Sequence, residues 1–107
     1  MVDSIAAQKS FAELIAGNEP VLINFYSNYF GPNQEVKLIL EEVKGKMGNK
    51  VIILKVDVDK NPKIARQYNI HSIPTLMIFK NDQIIWRQNG PASTKTIEII
   101  IRENLQS

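Results

Sequence analysis

Hydrophobic and polar positions alternate along the chain in stretches whose periods predict helices and strands in turn. Residues 21–26 and 51–57 are short, almost continuously apolar and rich in β-branched side chains, which is typical of strands buried on both faces. Between residues 36 and 47 the apolar side chains recur at helical spacing, which predicts a helix with one buried stripe. That stripe consists of Val36, Ile39, Leu40, Val43 and Met47. Gly31-Pro32 precedes this helix, and we expect Pro32 at its first position.

Capping residues mark three further helices. Ser10 and Glu13 have the spacing of a capping box, so we expect a short helix that ends near Ala16. Asn61-Pro62 is typical of a helix start, and Ser93 can cap a last helix. The buried stripe predicted for that last helix consists of Ile97, Ile100, Ile101 and Leu105. The sequence therefore predicts four helices in all.

Two more strands form a hairpin. Residues 75–79 and 83–87 are apolar segments on either side of Lys80-Asn81-Asp82, whose Asn and Asp favour a tight turn. The predicted order is then α, β, α, β, α, β, β, α. This order indicates one α/β domain over residues 1–107, with a central mixed sheet of four to five strands and helices on both faces.

Composition narrows the classes of function. The 107 residues carry a net charge of +2 without a long basic run, so we expect no nucleic-acid partner. No apolar run approaches the ~20 residues of a membrane span, and the first residues do not resemble a secretory signal. We therefore expect a cytoplasmic monomer that does not bind membranes. The sequence contains no cysteine, which excludes disulfides, thiol nucleophiles and thiolate metal sites.

Several separated segments resemble the thioredoxin family. Residues 21–33 are similar to the strand, loop and helix start in which that family has an apolar strand with an Asp and then Trp-Cys-Gly-Pro-Cys. Residues 56–62 resemble the family's third strand and its exit, and residues 68–76 resemble its cis-proline loop. Phe79-Lys80-Asn81 is similar to its hairpin, and Gly90 to the glycine beside its active face. The resemblance covers nearly the whole chain and implies the thioredoxin fold.

The same resemblance fails at the residues that carry the family's chemistry. Phe30 and Asn33 stand where the two cysteines would be, and neither side chain can exchange a disulfide. Asn24 takes the place of the family's buried acid and cannot act as a general base. Tyr29 replaces the usual Trp, and Lys55 matches a lysine near that acid. We therefore expect no catalytic residue, no cofactor and no disulfide oxidoreductase activity.

The resemblance also implies a binding surface that does not need sulfur. A cis peptide bond before Pro74 would leave the backbone of Ile73 free to pair with an extended peptide. We expect a protein or peptide partner at a surface formed by Tyr29, Phe30, Gly31, Pro32, Ile73, Pro74 and Gly90. Phe30 has an alternative: its ring could fold inward and fill the space left by the missing sulfur.

Two other functions stay open. The chain is a thiol–disulfide oxidoreductase if its native form carries cysteines at positions 30 and 33. It is a structural subunit of a larger complex if its contact area lies on a helix face.

The other polar residues have structural interpretations. Asn24 either hydrogen-bonds to Lys55 or is a neutral polar residue of the core. His71 is the only histidine and is expected to lie exposed in a loop. Asp57 and Asp59 are expected to be solvated charges at a strand exit, with too few neighbouring ligands for a metal site.

Overall fold

The predicted order of elements is found in the computed structural model, which describes residues 10–30 and 33–105 and, for Phe30, the backbone alone. The helices are α1 (Phe11–Ile15), α2 (Gln34–Met47), α3 (Pro62–Gln67) and α4 (Thr94–Glu103). The strands are β1 (Val21–Tyr26), β2 (Ile52–Asp57), β3 (Thr75–Lys80) and β4 (Gln83–Asn89). Short 3-10 helices follow β1 and α2, at Asn28–Phe30 and Gly48–Lys50. Within the described residues, no helix has the length and apolar character that crossing a membrane requires.

The strands form one mixed sheet in the order β2-β1-β3-β4. β1 pairs with β2 in parallel, whereas β1 with β3 and β3 with β4 are antiparallel. Because β1 and β3 run in opposite directions, the end of β1 lies beside the start of β3, with Phe25 opposite Thr75. Thr75 also pairs with Asn89 at the end of β4. The loops after β1, before β3 and after β4 therefore meet at one end of the sheet.

Two hydrophobic clusters cover the two faces of this sheet. One cluster joins α2 and α4 to the strands and includes Leu22, Val36, Leu40, Val43, Ile53, Leu76, Ile97 and Ile101. The other cluster joins α1 and α3 to the opposite face and includes Phe11, Ile15, Ile23, Phe25, Leu54, Met77 and Phe79, with Ile64 and Tyr68 packed against them. The expected α/β architecture, with helices on both faces, is confirmed.

Local capping explains where the helices begin. Ser10 and Glu13 form the predicted capping box: the Ser10 N–H donates to Glu13 Oε1 at 3.0 Å, and the Glu13 N–H donates to Ser10 Oγ at 3.2 Å. Ser93 caps α4 as predicted by accepting the Thr96 N–H at 3.0 Å. The predicted start of α2 at Pro32 is wrong. The helix begins at Gln34, since Asn33 is its N-cap.

The hairpin turn is of the tight type that its sequence predicts. Asn81 and Asp82 both have positive φ, 52° and 66°, as a two-residue turn between twisted strands requires. Their N–H groups donate to the carbonyls of Gly17 and Ile15, at 2.8 and 2.9 Å. The turn is thereby attached to the end of α1, which fixes the hairpin relative to the rest of the fold.

Candidate binding site

The loop that follows β1 is held by hydrogen bonds to the end of β2. The Ser27 hydroxyl donates to the carboxylate of Asp59, and Asn28 Nδ2 donates to Asp57 Oδ2 at 3.2 Å. The Tyr29 N–H in turn donates to Ser27 Oγ at 3.1 Å. With the backbone fixed in this way, the side chain of Tyr29 is 89% exposed. This loop therefore presents a large aromatic ring to solvent.

Asp57 differs from the prediction of a solvated charge. Its side chain is only 7% exposed. Besides Asn28, its carboxylate accepts the N–H groups of Asp59 and Lys60, at 2.9 and 3.4 Å. These donors replace the water that a buried carboxylate would otherwise need. Asp57 therefore anchors the loop between β2 and α3 and is not a surface charge.

The loop before β3 is joined to Gly90 and leaves the backbone groups of Ile73 without a hydrogen bond among the described residues. The peptide bond between Ile73 and Pro74 is cis, and Ile73 is half-buried. The Pro74 carbonyl accepts the Gly90 N–H at 2.7 Å, and Gly90 has a φ of 108° that favours glycine. Among the residues that the structure describes, none forms a hydrogen bond with the N–H or C=O of Ile73.

The structure brings only part of the predicted surface together. Ile73, Pro74 and Gly90 are adjacent through the hydrogen bond of the Gly90 N–H, and Tyr29 lies on the loop at the same end of the sheet. The side chain of Phe30 lies outside the described residues, as do Gly31 and Pro32. The calls on Phe30, Gly31 and Pro32 therefore stay predictions.

Beside this end of the sheet, α2 and the strands line a cavity of about 760 Å³ that is open to solvent. Its described walls come from β1, β2, α2 and the loops after β1 and before β3. They are Asn24, Tyr26, Ser27, Asn28, Asn33, Gln34, Lys37, Leu40, Glu41, Lys44, Ile53, Lys55, Ile73 and Pro74. A volume of this size is typical of small-molecule sites. The cavity reaches from the Ile73-Pro74 loop along one side of α2.

Asn24 and Lys55 lie side by side in the β1–β2 register, but the hydrogen bond considered between them is not formed. Asn24 is 7% exposed, and its Oδ1 is buried without a hydrogen-bond partner among the described residues. Lys55 is exposed, with Nζ lying 5.1 Å from the centre of the Tyr26 ring. Burial, and then the negative charge of Asp57, raise the pKa of the Tyr26 phenol. Asn24 is thus a core polar residue with unused hydrogen-bonding capacity.

Sequence reasoning missed the polar wall of the cavity. Lys37, Glu41 and Lys44 follow each other at four- and three-residue spacing, directly beside the buried stripe of α2. Residues at such positions flank the apolar face of a helix. Their side chains therefore extend along the edge of the surface against which that face packs. The helical period alone could have placed them near Leu40. Only the tertiary structure shows that the space beside these three side chains is open.

The remaining polar candidates do not form a site. His71 is exposed, as expected for a loop residue. In residues 10–30 and 33–105, no three His, Cys, Asp or Glu side chains are grouped so that they could hold a metal ion. Asn33, at the position of the second family cysteine, accepts the Val36 N–H at 3.1 Å through Oδ1. Its carboxamide therefore has a structural role at the start of α2.

Comparisons with known proteins agree with this architecture. The family model described as Thioredoxin matches residues 3–103. A "Thioredoxin-like protein slr0233" of Synechocystis is 44% identical over 82 residues, which are 76% of this chain and 78% of the relative. "Thioredoxin 1" of Nostoc is 34% identical over 93 residues, covering 87% of each chain.

A solved structure, described as thioredoxin-2 and a component of the malaria parasite's protein secretion machinery, shares the fold. Its TM-score is 0.73 at 23% identity, with 80% of this chain and 84% of that chain covered. The element order and mixed sheet described above are those of such a domain, with helices on both faces. The chain belongs to the thioredoxin family.

Proposed function

We propose that this protein is a redox-inactive member of its family that binds an extended segment of a protein partner. The observation that carries the proposal is the absence of cysteine from all 107 residues. Disulfide exchange requires one thiolate to attack and a second thiol to release the product. The chain has neither thiol. Of the family's activities, only the binding of a polypeptide is therefore left to it.

The proposed contact surface is the end of the sheet where three loops meet. Ile73 offers an N–H and a C=O that no described residue uses, and a strand-like peptide can pair with both. Tyr29 offers an exposed ring on the neighbouring loop. Backbone pairing is largely independent of sequence, so the aromatic contact supplies most of the selectivity. We expect modest, reversible affinity.

The first test uses a defined peptide ligand. A heptapeptide selected from a random displayed library against the unaltered protein is synthesised, and its Kd is measured by fluorescence anisotropy. We expect Tyr29→Asp and Ile73→Asp each to weaken binding by about tenfold or more, since both place a charge in the interface. Ile99→Asp is the matched control because Ile99 is an exposed apolar residue of α4. Equal affinity in all three variants would exclude this surface.

A second test addresses the backbone pairing at Ile73. Methylating the peptide nitrogens one at a time removes one donor at each position without changing any side chain. A strand that pairs with Ile73 loses affinity at the residue facing it and keeps affinity when the neighbouring nitrogen, which faces away, is methylated. Uniform sensitivity along the peptide contradicts strand-like pairing.

The names of the relatives, several of which are thioredoxins, give the oxidoreductase alternative only weak support. It requires cysteines at positions 30 and 33 in the native chain. A dithiol-dependent insulin reduction assay separates the two functions, with the double variant Phe30→Cys/Asn33→Cys as the reference that restores both thiols. We expect the unaltered chain to match the no-protein blank. Turnover by the unaltered chain would end the proposal of redox inactivity.

A further inference from the structure

The cavity beside α2 contains a buried amide that nothing in the described structure satisfies. Asn24 is more than nine-tenths buried on the cavity wall, and its Oδ1 has no partner among described residues. No described residue hydrogen-bonds to its Nδ2 either. Folded proteins pair nearly all such groups, with protein, water or ligand. An unpaired carboxamide that faces an open cavity therefore points to a partner from outside the chain.

The charges around Asn24 indicate which chemistry that partner has. Lys37 and Lys55 line the cavity, and neither forms an ion pair or hydrogen bond with any described residue. Lys44 donates to the Gly48 carbonyl at 3.3 Å, which directs its charge toward the end of α2. Glu41 is the acidic residue among the described walls. The excess of cationic donors favours an anion, and the neutral Asn24 does not oppose one as a carboxylate would.

The other residues of the cavity wall suit the apolar part of a ligand. Leu40, Ile53 and Pro74 contribute hydrocarbon, and Tyr26 contributes an aromatic ring. We propose that this cavity binds a small organic acid, with its carboxylate between Lys37 and Lys55 and its apolar part along Leu40 and Ile53. Asn24 completes the site, since rotation of its carboxamide presents either a donor or an acceptor to the ligand. The site does not depend on peptide binding at Tyr29.

Three probes of similar shape test whether the cavity prefers an anionic ligand. 3-Phenylpropionate, its neutral amide and 3-phenylpropylammonium share the same apolar part and differ in the head group. Each is titrated into ¹⁵N-labelled protein, and the signals of the Asn24 side-chain amide and of the Lys55 backbone are followed. We expect saturable shifts at millimolar 3-phenylpropionate and at least about tenfold weaker binding of the other two. Absence of saturable shifts with the acid, or equal binding of the amide, overturns the proposal.

Variants locate the binding site. Lys37→Gln and Lys55→Gln are each expected to weaken 3-phenylpropionate binding by about tenfold, because each removes one charge-assisted contact. Asn24→Asp, which keeps the size of the side chain, is expected to abolish it. Lys63→Gln is the matched control, since Lys63 is an exposed lysine of α3 on the opposite face. Unchanged affinity in the first three variants shows an adventitious site elsewhere and overturns the proposal.

The result is separable from the peptide-binding function. Tyr29→Asp is expected to leave the affinity for 3-phenylpropionate unchanged while it weakens the selected peptide. If the free acid fails to bind but a glutamate-containing peptide shifts the Asn24 signal, the cavity serves the peptide partner and the small-acid site is excluded. If the acid binds and no peptide can be selected, the small-acid site stands and the proposed function fails.

Discussion

The two faces of β1 differ, because one packs against helices and the other borders the cavity. Ile23 and Phe25 face α1 and α3 and are completely buried. Asn24 and Tyr26, which alternate with them, face the cavity beneath α2. A strand places successive side chains on opposite faces, so this difference is already present in four consecutive residues.

The packing on the two faces differs accordingly. On the α1 side, Phe79 lies with its ring centre 6.1 Å from that of Phe11 and 5.3 Å from that of Tyr68, both in edge-on arrangements. On the α2 side, the other end of the sheet, where β1 ends and β3 begins, borders an open cavity of about 760 Å³. The α1 side is thus the filled face, whereas the α2 side is an open face, which has its own buried cluster beside the cavity.

The largest expected effect comes from breaking the filled face. Phe79→Ala removes the ring that joins Phe11 and Tyr68, and we expect the free energy of unfolding to fall by about 3–5 kcal/mol. Urea unfolding followed by circular dichroism measures this loss. Ile84→Ala, at an exposed position of β4, is expected to change stability by less than about 1 kcal/mol. A similar loss in both variants would contradict the assignment of stability to this face.

The open face should respond in the opposite direction. Asn24→Leu removes a buried, unpaired carboxamide and adds apolar volume next to a cavity that can receive it. We expect the free energy of unfolding to rise by about 1–2 kcal/mol. The same variant should lose the binding of 3-phenylpropionate. A loss of stability would indicate that the Asn24 amide is already satisfied, and would remove the main argument for a ligand.

A smaller effect is expected at the start of the helix that covers the open face. Asn33→Ala deletes the acceptor of the Val36 N–H and should lower the free energy of unfolding by about 1 kcal/mol. Asn33→Ser keeps an acceptor at the N-cap and should retain most of the stability. If alanine and serine behave alike in denaturant unfolding, the capping role of Asn33 is wrong.

The smallest expected effect is a loss of stability at alkaline pH. Folding raises the pKa of Tyr26 above its ordinary value of 10.0, through burial first and the charge of Asp57 second. The unfolded chain therefore loses this phenolic proton at a lower pH than the folded chain does. Stability contributed by the protonated phenol is complete below the unfolded pKa and is lost as pH rises through the folded pKa.

Tyr26→Phe should reduce that alkaline decline, because the phenol is gone from both states. The decline is measured as the difference between the urea midpoints of unfolding at neutral pH and above pH 10. Parallel declines in the variant and the unaltered protein would show that Tyr26 contributes nothing to it.

Sequence patterns predicted the fold well because most of its elements are specified locally. The capping box at Ser10, the cap at Ser93 and the tight turn at Asn81-Asp82 each depend on a few neighbouring residues. The start of α2 was misplaced because Pro32 and Asn33 are both acceptable near a helix start. The hydrogen bond from the Val36 N–H to Asn33 marks Asn33 as the N-cap.

The candidate site was predicted only in part. Ile73, Pro74 and Gly90 were identified through the family resemblance, and the Gly90–Pro74 hydrogen bond joins their two loops. Asp57 was expected at the surface because charge type alone does not reveal local donors. Two of the three donors to its carboxylate, the N–H groups of Asp59 and Lys60, come from the loop that follows it, and the pairing of β1 with β2 brings the third, Asn28 Nδ2.

By itself, the sequence determined the element order, the two apolar faces and the absence of cysteine. These follow from periodicity and from residue type, which require no knowledge of distant contacts. Only the tertiary structure decided that Asn24 Oδ1 lacks a partner among the described residues, that Lys37 and Lys55 border the same space, and that this space is open. Residues far apart in the chain form those features, and whether a volume between them is filled depends on the packing of every wall at once.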